Sequence, residues 1–186
     1  MKIIRKIQKV FAFSLIRAVS KFRPGWGTTL AIRFYGKHGM KFNGRPNYIS
    51  SLSWFDGTDY SLIEIGEGTT ISSSVSVLTH DWVLHTIGKS LGHVTDKPLG
   101  RILPVKIGAY VFVGRGALLM PGTTIGRGSI IGAGSVVRGT IPEYSIVIGN
   151  PCEIIGNSRE YFEKKTGLTS HNEVKLATEI SSETIA

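Results

Sequence analysis

An aliphatic residue recurs at intervals of six along much of this chain. Ten positions separated by multiples of six are all aliphatic: Ile65, Ile71, Val77, Val83, Ile107, Val113, Leu119, Ile125, Ile131 and Val137. Five of them are followed directly by Gly. Residues six apart share one direction only if the chain repeats a short straight segment and a turn, three of which close a triangular coil. The spacing therefore predicts a parallel β-helix around one continuous aliphatic core.

The residues that follow the aliphatic positions suit the corners of such coils. The hexads I65-G-E-G-T-T, V113-G-R-G-A-L and I131-G-A-G-S-V each place small residues where the backbone must bend. Gly adopts backbone angles that other residues avoid. Successive coils would stack at the usual strand spacing of about 4.8 Å, which gives parallel strands without helical crossovers.

The repeats and four more specific stretches resemble the hexapeptide-repeat acyltransferase superfamily. The stretches are L78-T-H-D-W82, V111-F-V-G114, I130-I-G-A-G-S-V-V137 and I146-V-I-G-N-P-C-E-I154. Within that superfamily the chain is similar to galactoside and maltose acetyltransferases and to O-acetyltransferases of capsular or O-antigen polysaccharide. The resemblance covers about residues 50 to 156. It implies an all-β, left-handed parallel β-helix that assembles as a homotrimer with sites between subunits.

Three segments are predicted along the chain. Residues 1–27 form a basic amphipathic helix and a hinge, residues 28–156 form the β-helix domain, and residues 157–186 form a short helix with a mobile tail. Within the domain, three hexad sites are polar, namely Lys89, Thr95 and Arg101. Residues 84–104 are therefore predicted to leave the coil as an extruded loop, and long ordered loops on a rigid scaffold are usually functional.

The net charge of +9 is concentrated near the N-terminus, because residues 1–55 contain eleven Lys or Arg and no Asp or Glu. Residues 2–21 have helical periodicity, with an apolar face and a basic face. The apolar face holds Ile3, Ile4, Ile7, Val10, Phe11, Leu15 and Ala18, and the basic face holds Lys2, Arg5, Lys6 and Lys9. Such a helix is expected to cap the open first coil or contact a neighbouring subunit, or to contact an anionic membrane surface through residues 1–23, and these roles are compatible.

Cysteine content and hydropathy favour a cytoplasmic protein, peripheral to the inner face of the membrane if the basic helix binds lipid. Cys152 is the single cysteine, which excludes an internal disulfide and favours a reducing compartment. The apolar stretch V10-F-A-F-S-L-I16 is short and is followed at once by Arg17, which argues against a signal peptide. No nucleic-acid-binding motif is present, so we expect no nucleic-acid partner.

His80 is the candidate catalytic base. It occupies the fourth position of V77-L-T-H-D-W, near a corner, where an imidazole points outward. A hydroxyl is a poor nucleophile until its proton is removed, and the pKa of His suits that task near neutrality. The resemblance implies direct acetyl transfer from acetyl-CoA to a hydroxyl of a sugar or glycan precursor. Asp81 should point to the opposite face and bind local backbone.

Three residues are candidates for binding the acceptor, namely Asp59, Trp82 and His85. By resemblance, Asp59 aligns with an acceptor-binding acid of the galactoside group, and His85 loosely matches a second histidine of that group. Trp82 could stack on a sugar or on pantetheine. Asp56 precedes Gly57 and is instead expected to form a turn.

The resemblance also implies where the donor, acetyl-CoA, would bind. In the family it lies in a groove between coils of two subunits, and the matching positions here are Gly114, Arg115, Ala133, Ser135 and Arg138. Arg115 or Arg138 would lie near phosphate. The chain departs from the family at Cys152 and Glu153, where a Lys or Arg often meets the CoA phosphates. The nucleotide end is therefore expected to be held differently, for instance by Arg159.

Other functions share this fold and stay open at the level of sequence. An amino-sugar N-acetyltransferase would need the same base and donor groove. A carbonic-anhydrase-like zinc enzyme would need three histidines from two subunits, and the chain offers His38, His80, His85 and His93. A non-catalytic hexapeptide assembly protein is the third alternative. We predict no metal site.

Overall fold

A computed structural model describes residues 2–93 and 96–168, with side chains from Val10 onward. The chain begins with two helices, α1 (Lys2–Phe22) and α2 (Pro24–Lys37), and then winds into coils of short strands. The predicted mobile tail lies outside the described residues.

The coils stack their strands into three sheets. The first sheet contains β1 (Lys41–Asn43), β4 (Ile63–Gly66), β9 (Val105–Ile107), β12 (Thr124–Ile125) and β15 (Thr140–Ile141), in that order. The second contains β2 (Tyr48–Ile49), β5 (Thr70–Ile71), β10 (Phe112–Val113), β13 (Ile130–Ile131), β16 (Ser145–Ile148) and β17 (Glu153–Asn157). The third contains β3 (Trp54–Phe55), β6 (Ser76–Val77), β11 (Leu118–Leu119) and β14 (Val136–Val137). All neighbours are parallel except β16 and β17.

The register of the strands follows the hexad pattern. Val113 pairs with Ile71 on one side and with Ile131 on the other, so equivalent hexad residues stack directly over each other. Nine of the ten predicted aliphatic positions are at most 2% exposed and form one core. Each coil alone would leave its inner face in water, so burial of these side chains between coils is what stabilises the stack.

Val83 is the exception to the predicted core. It is 60% exposed and is the first residue of α3 (Val83–Ser90), because the chain has already left the coil at His80. The excursion continues from β7 (His80–Asp81) through α3 to β8 (Arg101–Ile102), which pairs with β7 in antiparallel fashion. The hexad pattern predicted an excursion over residues 84–104; in the structure the excursion starts earlier, at His80, and contains a helix that the pattern did not predict.

The two N-terminal helices pack in layers on the first coil. Helix α2 packs on the first coil, where the Thr28 hydroxyl accepts a hydrogen bond from the Ile49 N–H and Tyr35 stacks edge-on against Phe55. Helix α1 packs on α2, with the rings of Phe13 and Phe34 4.9 Å apart. The first coil is therefore covered by α2, and α1 forms an outer layer.

The last coil ends in a hairpin and a short helix. Strand β17 turns back along β16, and α4 (Ser158–Thr166) follows at once, in the segment 157–186 where a short helix was predicted. Asn157 caps α4 by accepting a hydrogen bond from the Arg159 N–H. Cys152 is half-buried against the core.

No helix within residues 2–93 and 96–168 is both long and apolar enough to cross a membrane.

Close stacking of the coils makes a specific prediction at Gly66. A Cβ at this position would lie 2.5 Å from the Ala109 nitrogen and from the Gly108 carbonyl carbon of the next coil. Because backbone cannot move aside cheaply, Gly66→Ala should lower the free energy of unfolding by about 1–3 kcal/mol in denaturant titrations. Gly25→Ala is the matched control, since nothing lies within 4 Å of its Cβ position. Equal loss in both variants would contradict this packing.

Candidate active site

His80 lies where the chain leaves the third sheet. Strand β6 ends at Val77, and two residues later the backbone turns outward into the excursion. The Leu103 N–H donates to the Thr79 carbonyl at 2.9 Å, so the returning chain is tied to the departing one beside His80. The His80 side chain is 24% exposed. The backbone at His80 is therefore tied to the returning strand, while the imidazole remains partly open to solvent.

Asp56 is the partner of His80. Its side chain is only 2% exposed, and its Oδ2 accepts a hydrogen bond from His80 Nδ1–H. The same oxygen accepts from the Thr79 hydroxyl at 2.6 Å and from the Thr79 N–H at 3.2 Å. The Thr58 N–H donates to Oδ1 at 3.0 Å. One carboxylate thus joins the coil that carries β3 to the corner that carries His80.

The electrostatics of Asp56 favour its ionised form. Burial by itself would raise the pKa of this carboxyl, but hydrogen bonds from Thr79, Thr58 and His80 outweigh burial and hold its pKa well below the usual range. An ionised carboxylate can only accept, so the proton of a neutral His80 resides on Nδ1. Within the described residues Nε2 has no hydrogen-bond partner. Its lone pair is therefore available to take a proton from a ligand.

Sequence reasoning missed the role of Asp56 because it treated the turn as a sufficient explanation. The turn is present, since Asp56 does accept from the Thr58 N–H, but the second carboxylate oxygen serves His80. The coil here is longer than three hexads: Phe55 pairs with Val77, twenty-two positions later. A short 3-10 turn, Tyr60–Leu62, accounts for the extra length. Only the true register shows that Asp56 and His80 meet.

Asp81 behaves as the sequence predicted. Its Oδ1 accepts a hydrogen bond from the Val83 N–H at 2.8 Å, and its Oδ2 lies 3.5 Å from the Arg101 guanidinium. The residue therefore fixes the start of α3 and ties β7 to β8. The carboxylate that orients His80 is Asp56 instead.

The three predicted acceptor residues have different local partners. The Trp82 ring is 5.4 Å from the His80 ring and is 40% exposed, so it flanks the imidazole. The His85 Nδ1 accepts a long hydrogen bond, 3.4 Å, from the Leu99 N–H inside the excursion. Asp59 is exposed and uses its carboxylate to accept from the N–H and hydroxyl of Ser61. Contact of Asp59 with an acceptor therefore stays a prediction.

The predicted donor residues occupy two corners of the triangle. Gly114, Arg115 and Ala133 lie at the corner after the second sheet, where the Gly134 N–H donates to the Arg115 carbonyl. Arg138 follows β14. It lies at the same corner of the triangle as His80, which follows β6 two coils earlier. Arg115, Ala133 and Arg138 are exposed. The third sheet separates the two corners within one chain.

Two predicted donor residues are committed to stacking of the coils. Ser135 is fully buried, and its hydroxyl accepts a hydrogen bond from the Gly149 N–H at 3.1 Å. Its side chain faces the coil interior in this structure and does not line an outer groove. Gly114 is buried as well, and a Cβ there would lie 2.6 Å from the Ala133 nitrogen. Both residues bring adjacent coils together at this corner.

Arginines stack on tyrosines along the remaining corner. The Arg159 guanidinium lies 3.5 Å from the centre of the Tyr144 ring, and Arg127 lies 4.6 Å from the centre of the Tyr110 ring. Hydrogen bonds from Arg159 and Arg127 lower the pKa of the Tyr144 hydroxyl. Arg159 thus already stacks on the Tyr144 ring at the surface of the last coil of the β-helix.

A cleft of about 360 Å³ lies between α1 and the first coil. Its lining is aromatic, with Tyr35, Trp54 and Tyr60, and includes Arg17 and Gly57. His80 does not line this cleft.

The candidate zinc ligands have other partners or lie apart. The His38 Nδ1–H donates to the Phe34 carbonyl at 2.7 Å, and His80 is bound to Asp56. In the portion of the chain that the structure describes, no three His, Cys, Asp or Glu side chains are grouped closely enough to hold a metal ion.

Comparison with known proteins identifies the same fold. The family model described as bacterial transferase hexapeptide (six repeats) matches residues 104–139. A solved structure of a galactoside acetyltransferase in complex with coenzyme A is similar with a TM-score of 0.61, covering 90% of this chain and 87% of that chain at 19% identity. A maltose O-acetyltransferase from Clostridium difficile 630 gives a TM-score of 0.53, covering 78% and 82% at 22% identity. These likenesses confirm the hexapeptide-repeat β-helix and imply its left-handed winding.

Sequence relatives carry acetyltransferase names. A provisionally named acetyltransferase of Mycobacterium tuberculosis H37Rv is 34% identical over 125 residues, which cover 64% of this chain and 36% of the relative. In Escherichia coli K12, the provisionally named lipopolysaccharide biosynthesis O-acetyl transferase WbbJ is 36% identical over 96 residues, covering 50% and 49%. This chain thus spans half or less of the length of both relatives. The resemblance to hexapeptide-repeat acetyltransferases is confirmed.

The Asp56 carboxylate makes a prediction about stability and pH. Because its folded pKa lies below its ordinary value of about 4, its stabilising effect is complete above that pH and is lost as the pH falls through the folded pKa. Asp56→Asn should cost about 3 kcal/mol of unfolding free energy at neutral pH, and the difference from wild type should shrink below about pH 4. Denaturant titrations across this pH range measure it.

Asp81→Asn is the matched control, because its ion pair with Arg101 is long and partly exposed. A surface pair of this kind contributes about 0–1 kcal/mol. A loss in Asp81→Asn as large as in Asp56→Asn, or a loss in Asp56→Asn that does not change with pH, would contradict the assignment.

Proposed function

We propose that this protein is an acetyl-CoA-dependent O-acetyltransferase that acts on a hydroxyl of a sugar or glycan precursor. The observation that carries the proposal is the pair formed by Asp56 and His80. A buried carboxylate fixes the imidazole tautomer and leaves Nε2 at the protein surface, which is the arrangement required of a general base. The base lies at the mouth of the excursion, beside the exposed ring of Trp82.

The relatives support the same chemistry. The proteins similar to this chain in sequence carry acetyltransferase names, and that of WbbJ refers to lipopolysaccharide biosynthesis. The structural neighbours are titled galactoside and maltose acetyltransferases, and one was solved with coenzyme A. A sugar hydroxyl as acceptor and acetyl-CoA as donor agree with these names.

The proposed reaction is a direct transfer. His80 Nε2 takes the proton of the acceptor hydroxyl, and the oxygen attacks the thioester carbonyl carbon. Asp56 stabilises the imidazolium that results, without itself taking the proton. A backbone N–H near the corner stabilises the oxyanion. The C–S bond then breaks, the thiolate of CoA receives the proton from His80, and the acetyl ester of the sugar is released.

The donor groove is proposed to lie between two subunits of a homotrimer. Gly114, Arg115 and Ala133 occupy a different corner from His80, so one chain alone separates the donor residues from the base. A neighbouring subunit seated against the third sheet would bring its donor corner to this His80. Arg115 and Arg138 are exposed cations that suit CoA phosphates, whereas Ser135 contributes only by holding the corner together.

For the acceptor we propose Trp82, His85 and Asp59. Trp82 flanks the base and offers an apolar face on which a sugar ring can stack. His85 and Asp59 would add hydrogen bonds from the excursion and from the turn after β3.

We further propose that the protein works in the cytoplasm.

Replacement of His80 tests the proposed base. His80→Ala should lower kcat by about a thousandfold or more, because the hydroxyl proton loses its acceptor, while acetyl-CoA binding stays unchanged. CoA release in the presence of acceptor measures turnover, and calorimetric titration measures donor binding. His93→Ala is the matched control, since His93 lies in the same excursion. Retained turnover in His80→Ala would end the assignment.

Replacement of Asp56 tests its role as a positioning residue. Asp56→Asn should lower kcat by about 10²–10⁴-fold with little change in the KM for acetyl-CoA, because an amide no longer fixes the imidazole tautomer. Asp81→Asn should keep kcat within about twofold, because Asp81 does not contact His80. Equal losses of kcat in the two variants would contradict the pairing.

The acceptor is tested with a panel of hydroxyl sugars and amino sugars under saturating acetyl-CoA. Ester formation on a hydroxyl is the expected product, and it is distinguished from an amide by its lability to mild base. Exclusive amide formation would replace the proposal with amino-sugar N-acetylation. Absence of acetyl-CoA binding in the titration would contradict both activities.

A further inference from the structure

From Val10 onward, several large apolar side chains of α1 are exposed. Phe11, Leu15 and Phe22 follow one another at intervals of four and seven residues, so they lie on one side of the helix. They are 70%, 45% and 79% exposed. The opposite side, with Phe13 and the buried Ile16, packs on α2. We call the three exposed residues the outer apolar row.

The outer apolar row is not needed to close the β-helix. Helix α2 already covers the first coil, through the bond between Thr28 and Ile49 and through the stacking of Tyr35 on Phe55. The sequence left open whether the apolar face of α1 is a cap. In the structure the described part of that face, Val10, Phe11, Leu15 and Ala18, is exposed. Large apolar side chains exposed together point to another partner.

The charge around the row identifies the kind of partner. Residues 1–55 contain eleven Lys or Arg and no Asp or Glu, and Lys21 and Arg23 are exposed on either side of Phe22. Trp26 follows at the start of α2 and is 70% exposed. Beside it lies a cleft of about 560 Å³ whose lining includes Leu30, Arg33 and Arg45. Aromatic and aliphatic side chains among exposed cations match the interface of an anionic bilayer.

We propose that α1 and the start of α2 form a docking surface for an anionic lipid bilayer. The outer apolar row and Trp26 enter the boundary between headgroups and acyl chains, and Lys21, Arg23 and Arg33 face the lipid phosphates. The helix lies in the plane of the surface. The inference does not depend on the proposed acetyl transfer, because it rests on the exposed side chains of the helices alone.

Vesicle co-sedimentation of the full chain tests the proposal. Wild type should sediment with vesicles of phosphatidylglycerol and phosphatidylcholine but only weakly with phosphatidylcholine alone. The triple variant Phe11→Ser, Leu15→Ser, Phe22→Ser should lose at least about thirtyfold in partition, because its apolar area no longer leaves water. The matched control is Leu91→Ser, Ile155→Ser, Phe162→Ser, which removes three other exposed apolar side chains and should bind as wild type does.

The charge contribution is tested separately. Lys21→Gln with Arg23→Gln should lower partition onto the anionic vesicles by about twentyfold, and added salt should weaken binding of the wild type. Lys164→Gln with Lys165→Gln, in α4, is the control. Because the altered residues are exposed, all variants should keep the unfolding midpoint of the wild type.

Three results would overturn the proposal. The first is the absence of wild-type binding to anionic vesicles, and the second is equal binding by the variant that lacks the outer apolar row. The third is a change in molecular mass: if the same variant sediments as a smaller oligomer than wild type in the analytical ultracentrifuge, the row is a contact between copies of this chain.

Discussion

The packing of aliphatic side chains between successive coils is the constraint on which the rest of this structure depends. Each coil has an inner face too small to be stable alone, so it must place Ile, Val or Leu directly over its neighbour. The close approach of backbones at Gly66 and Gly114 follows from the same need. Because the coils stack in register, equivalent corner residues of successive coils lie next to one another along the stack.

The pair formed by Asp56 and His80 depends on that register. Asp56 comes from one coil and His80 from the corner of the next, and the two are held in contact because β3 and β6 are paired. Thr79 and Thr58 satisfy the remaining capacity of the buried carboxylate, so its charge is stabilised where water cannot reach it. The result is an imidazole with a fixed tautomer at the point where the excursion leaves the helix.

The sequence predicted what is local and periodic. Nine of the ten aliphatic positions are in the core because inward direction is a property of each hexad by itself. Val83 was wrongly assigned to the core because it is apolar and falls on a multiple of six, although it is the first residue of α3. Asp56 was missed because its contact with His80 depends on the length of one irregular coil, which contains an extra 3-10 turn. Ser135 and Gly114 matched a functional motif but are also the residues that stacking requires.

The central claim is that Asp56 fixes the tautomer in which His80 can act as a base beside the donor site. The most direct test is ¹⁵N NMR of the His80 imidazole, recorded with and without acetyl-CoA. In neutral wild-type protein, Nδ1 should carry the proton and Nε2 should not, and acetyl-CoA should shift the Nε2 resonance. In Asp56→Asn this preference should be lost. A proton on Nε2 in the wild type, or an identical spectrum in the variant, would show that Asp56 does not set the state of His80.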